Sequence, residues 1–160
     1  MTLYSLPFFA LAVTLAAPLA AQSDRHYFPA PGRPALISPD NPTGAPPYST
    51  AVLAGDTLYI SGATDTDPAT GKPPTDPKLG AKLLMDGLKR TLERAGMTMD
   101  DLIWVQIFAT DLGHYAAFNE VYRPYFKGPL PARAFLGAGS LLGGANFEIM
   151  ATAVRSRTAR

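Results

Sequence analysis

Two charged side chains stand inside segments that otherwise read as buried strands. Arg133 heads "PARAFLGAG", and Glu148 sits within "NFEIMATAVR". A buried guanidinium is costly unless something pairs with it, and Glu is depleted from strand interiors. Beyond Gly113 the only acids are Glu120 and Glu148. Two accounts fit these residues. In one, Arg133 and Glu148 form a structural ion pair. In the other, Arg133 awaits an anionic ligand, because its planar fork matches a carboxylate bidentately, and Glu148 holds a water for attack beside it. Asn119 suits a hydrogen bond tying a helix to the sheet. Tyr48, which follows two prolines, reads as a packing aromatic with its hydroxyl at the surface. Gly62, in "YISGATD", ends a strand with no side chain, where a ligand or another backbone can approach closely.

Composition narrows the chemistry. The chain of 160 residues and 17.0 kDa has room for one domain with a core. Its formal charge is +1, and the basic residues are scattered apart from Arg155, Arg157 and Arg160. Nucleic-acid binding, which needs a clustered basic face, is therefore not expected. The absence of cysteine removes a thiol nucleophile, disulfides and thiolate metal sites together. His26 and His114 lie far apart, so no metal site is expected, and His114 is read as flanking a helix without a catalytic role.

The elements must then position Arg133 and Glu148. Residues 1–21 carry no charge, and the apolar run from Leu6 to Ala21 is shorter than a bilayer span and ends in small residues. This predicts a secretory signal and an exported, periplasmic protein, the signal either cleaved, leaving the mature chain with no stable membrane association, or kept as a membrane anchor. Residues 22–34 read as a proline-rich arm, 35–155 as the folded domain and 156–160 as a basic tail, with Ala35–Ser38 as the one strand expected in the proline-crowded region. "YSTAVLAGDTLYISGATD" predicts a hairpin turning at Ala54-Gly55-Asp56. A helix from Lys78 to Ala95, closed by Gly96, buries Leu84, Leu88, Thr91, Leu92 and Ala95. "DLIWVQIFATD" reads as a central strand covered on both faces. A second helix, Gly113–Phe126, carries Tyr115, Phe118, Asn119, Tyr122 and Phe126 at helical spacing, with Pro124 disturbing its last turn. In the two last strands, alternation puts Ala134, Leu136 and Ala138, with Phe147, Ile149, Ala151 and Ala153, beneath the helices. Arg133, Phe135 and Glu148 then point away from them. The result is an α/β (α+β) protein: a mixed six-stranded sheet with two helices on one face. The other face is too apolar for water and too polar for a core, as expected of a subunit interface containing a cleft.

Taken together, "GAPPYSTAVLAGDTLYISGATDTDPATGK", "LERAGMTMDDLIWVQIFATDLGHYAAFNEVYRPYF", "LPARAF" and "FEIMATAV" resemble, in order and spacing, the Rid or YjgF-like family of reactive-intermediate imine and enamine deaminases. The resemblance runs from about Ala35 to Val154. It implies the family's YjgF-like (chorismate-mutase-like) fold, a homotrimeric barrel with sites between subunits. It also implies cofactor-independent hydrolysis of 2-imino or enamino acids, such as 2-aminoacrylate, to 2-keto acids and ammonia. By the same resemblance Arg133 holds the substrate carboxylate and Glu148 positions the water. Tyr48, Gly62 and Asn119 match the family's cleft residues. Three features depart from the pattern: Ala63 stands in place of the usual Gln, Phe135 in place of a small residue, and "SLLGG" in place of the usual loop. Phe135 should therefore reshape the pocket. The competing expectation is a trimeric protein that binds small carboxylates without turnover.

Overall fold

The computed structural model describes residues 24–33 and 36–156; the expected signal segment lies outside them. The chain forms β1 (Arg25–Pro29), β2 (Ser49–Ala54), β3 (Thr57–Thr64), α1 (Pro77–Arg94), β4 (Leu102–Ala109), α2 (Tyr115–Tyr122), β5 (Ala132–Gly137) and β6 (Phe147–Val154). The strands make one mixed sheet in the order β1-β2-β3-β6-β4-β5. Only β4 and β5 run parallel, joined by the crossover through α2. Among the described residues no helix is long and apolar enough to cross a membrane.

The hairpin forms where its turn residues require, with Gly55 at φ +58 between antiparallel β2 and β3. Helix α1 starts at Asp76, whose carboxylate accepts from the Lys78 backbone N–H at 2.9 Å, and Pro77 sits where its missing N–H costs nothing. The helix stops before Gly96, at φ +68. Leu84, Leu88 and Leu92 are buried, while Lys82–Asp86 and Lys89–Glu93 pair along the solvent side. The core lies between the two helices and one sheet face, where Leu58, Val105, Ile107, Phe118, Phe147 and Ile149 are buried.

Four expectations change. The strand expected at Ala35–Ser38 does not form; Ala35 lies outside the described residues, and Ser38 and Asn41 close a tight turn on each other. The sixth strand is instead Arg25–Pro29, inside the segment read as an arm, where Phe28 supplies the buried anchor. The second helix is shorter than Gly113–Phe126, because α2 is flanked by 3-10 turns at Leu112–His114 and Arg123–Tyr125, the latter holding Pro124. Its own chain covers strand β4 on one face: Val105, Ile107 and Ala109 are buried, but Trp104 is 41% exposed.

The fourth change matters most. β5 pairs with β4 so that Arg133 lies beside Val105 and Phe135 beside Ile107. Val105 and Ile107 face the helices, so Arg133 and Phe135 face them too, and it is Leu136, 41% exposed, that turns outward. β6 keeps its expected parity, with Phe147, Ile149, Ala151 and Ala153 buried beneath the helices and Glu148 on the opposite face.

Candidate active site

Because Arg133 faces the helices, α2 surrounds it. Its Nη2 donates to Asn119 Oδ1 at 2.7 Å and approaches the Tyr115 hydroxyl at 3.5 Å. Its Cζ stands 4.5 Å from the Tyr122 ring centroid and 5.6 Å from that of Tyr115, within cation–π range. Phe135 packs edge-on against Tyr115 and Phe118, with centroid separations of 5.1 and 5.5 Å, and so floors the guanidinium from below. Yet Nη1 of Arg133 is buried with no hydrogen-bond partner, and so is the Tyr122 hydroxyl. A buried unpaired donor on a cation is costly, and an anion is the partner that repairs it. The site also acts on its phenols. The contact with Asn119, and then the charge of Arg133, hold the Tyr115 hydroxyl below its ordinary pKa. Burial pushes that of Tyr122 up to about 12, by more than Arg133 draws it down.

A second cluster occupies the other face. β3 bulges between Ile60 and Ala63, where its register with β6 shifts, and bulges commonly re-aim side chains beside sites. Gly62 lies in that bulge. A Cβ there would collide with the carboxylate of Glu148, its Cδ only 3.1 Å away. Gly62 therefore makes room for Glu148 directly. The neighbouring Ser61 hydroxyl donates to the Ser49 carbonyl at 2.6 Å, tying the bulge to the start of β2 and hence to Tyr48. The Tyr48 hydroxyl accepts from Arg33 Nη2 at 2.9 Å.

The predicted residues thus fall into two groups. Arg133, Asn119 and Phe135 gather on the helix face. Glu148 and Gly62 meet on the opposite face, with Tyr48 joined to the bulge. In one chain Arg133 and Glu148 lie two strands apart on opposite faces of the sheet, so they form no ion pair. Tyr115, Tyr122 and Arg123 were not singled out as site residues, although Tyr115, Asn119, Tyr122 and Arg123 recur at helical spacing with polar tips, a signal that was present. Among the described residues no group of three or more His, Asp or Glu side chains converges to hold a metal.

Comparison with known proteins places the chain. A family model described as endoribonuclease L-PSP matches residues 39–155. The protein DfrA of Myxococcus xanthus is 39% identical over 76% of this chain and 95% of its own. The mouse protein named 2-iminobutanoate/2-iminopropanoate deaminase is 35% identical over 71% of this chain and 85% of its own. Among solved structures, Escherichia coli TdcF with bound serine is 33% identical with a TM-score of 0.66, covering 69% of this chain and 90% of that one. RidA from an Antarctic Psychrobacter is 31% identical with a TM-score of 0.65, covering 77% of this chain and all of that one. The chain belongs to the Rid/YjgF family.

Proposed function

We propose that this protein is a cofactor-independent deaminase that hydrolyses 2-imino and enamino acids to 2-keto acids and ammonia. The observation that carries the reading is the buried, unpartnered Nη1 of Arg133. Beside an Nη2 already bound to Asn119, it offers a charge-assisted bond, worth about 1.5–3 kcal/mol, to a substrate carboxylate. The oxygen of a water then adds to the electrophilic imine carbon, the C–N bond breaks, and nitrogen leaves as ammonia. Glu148 is the group that orients the water and passes both of its protons to the nitrogen, so that the keto C=O forms as the C–N bond breaks.

The separation of Arg133 from Glu148 within one chain supports a site shared between subunits. The two groups meet only if the Arg133 side of one subunit adjoins the Glu148 side of another, so the site is composite and the working unit is the family's homotrimer. The open sheet face, which carries Tyr59, 56% exposed, and half-buried Met150 and Phe108, supports burial against another subunit. The name of the mouse relative and the serine bound by TdcF, an amino acid with the same carboxylate, point to this substrate class. Balanced charge supports a small-molecule substrate over the RNA that the family description implies. The uncharged residues 1–21 support action after export, in the periplasm.

The test generates 2-aminoacrylate and longer imino acids in situ and follows keto-acid release. Wild type accelerates hydrolysis over buffer, Glu148→Gln slows it by roughly 10²–10⁴, and Arg133→Ala loses binding and rate together. No acceleration with any substrate overturns the deaminase. Arg133-dependent binding of 2-keto acids without turnover would make the protein a carboxylate-binding trimer instead.

A further inference from the structure

A pocket of about 130 Å³ opens between the end of α2 and the start of β5, lined by Asn119, Tyr122, Arg123, Leu130, Pro131 and Arg133. It contains two guanidinium-bearing residues. Arg133 is explained by a substrate carboxylate, but Arg123 is not. Among the described residues the Arg123 guanidinium makes no hydrogen bond or ion pair, and Glu120, the acid one turn before it, is taken by Lys78. The turn that carries Arg123 is stiffened by Pro124, which fixes its backbone at the pocket's edge. The Tyr122 hydroxyl is buried in the same neighbourhood without a partner. Two cations, an unpaired guanidinium N–H and an unpaired phenol are more than one carboxylate needs. Leu130 and Pro131 add an apolar wall, suited to the methylenes between two acid groups.

We infer that this pocket selects dicarboxylic 2-imino acids, such as 2-iminosuccinate and 2-iminoglutarate, with the 1-carboxylate on Arg133 and the distal carboxylate held by Arg123 and the Tyr122 hydroxyl. The inference rests on the deaminase reading for its chemistry but not for its binding. A monocarboxylic imine would leave Arg123 and Tyr122 as they are now, without a partner.

The experiment compares imines made in situ from aspartate and glutamate with those from alanine and 2-aminobutyrate, using wild type and Arg123→Gln. Wild type should show a kcat/KM for the dicarboxylic imines higher by about tenfold, the worth of one charge-assisted contact, and Arg123→Gln should remove that preference. Calorimetry with the unreactive products 2-oxoglutarate and 2-oxobutanoate asks the same question without turnover. Arg123 is exposed, so unchanged circular dichroism and Tm in Arg123→Gln are expected and confirm that it folds. Turnover with equal efficiency on both classes, or a preference that survives in Arg123→Gln, overturns the inference and leaves the deaminase standing. Absence of all turnover alongside Arg123-dependent preference for 2-oxoglutarate overturns the deaminase and leaves the dianion site standing.

Discussion

Arg133 has one terminal nitrogen committed to Asn119 and the other buried without a partner, and aromatic rings flank its plane. That arrangement fixes the guanidinium before any ligand arrives, so little rotamer freedom remains to be lost on binding. Gly62 has the matching role for Glu148, since any side chain there takes the volume of the carboxylate. Gly62→Ala should therefore displace Glu148 and cut kcat by about 10²-fold, with Tm nearly unchanged. A thermal melt beside an imine assay checks this. An equal loss of stability would make Gly62 a packing residue only. At this scale the sequence was partly legible. Arg133 and Glu148 stood out because charge is rare in buried strands, whereas Tyr115, Tyr122 and Arg123 hid in a helix whose spacing looked like packing.

The elements hold these residues through a few buried polar joints. Asp65, just beyond β3, is the one buried acid among the described residues. It accepts from the Asn146 backbone at 3.0 Å, its side chain at 3.0 Å and the Phe147 backbone at 3.3 Å, locking β3 to the start of β6 and so setting Gly62 against Glu148. Helix α1 passes so close that a Cβ on Gly80 would sit 2.5 Å from the Asp65 carboxylate. Asp65→Ala leaves buried donors unpaired, and should cost about 3 kcal/mol and lower Tm by roughly 10 °C. Asp101 makes a second joint, accepting from the Thr98 and Ser156 backbones and the Thr98 hydroxyl. Burial pushes its pKa up, but those hydrogen bonds together hold it below the ordinary value. A depressed folded pKa stabilises above the unfolded value, near 3.9, and that contribution fades as pH falls through the folded one. Asp101→Asn should therefore have a lower Tm than wild type at pH 7, with the gap closing below about pH 4; a gap constant with pH would contradict this.

Element positions were legible where turn chemistry was strong, as at Gly55 and Gly96. The facing of β5 was not. Apart from Arg133, both parities of "ARAFLG" are small or apolar, and a charge that a ligand can pair suits either face, so alternation alone cannot choose between them; the choice is made by parallel registry with β4, a long-range contact. That one inversion moved Arg133 from the open face to α2.

At the scale of the whole molecule, the sheet face opposite the helices is left uncovered by its own chain. Trp104, Tyr59 and Leu136 lie on it, exposed by 41–56%, together with Glu148. Trp104→Glu would place a charge in the proposed interface, so light scattering should show the proposed trimer falling to monomer, and activity should go with it. A monomer that keeps its activity would place the whole site in one chain. The composite site makes the sharper demand, and it can be tested by mixing two dead variants. Arg133→Ala and Glu148→Gln, co-expressed or co-refolded in equal amounts, should recover on the order of a quarter of wild-type imine hydrolysis, the share of subunit interfaces that random mixing leaves with both side chains intact. Mixed trimers no more active than either variant alone would contradict a site shared between subunits.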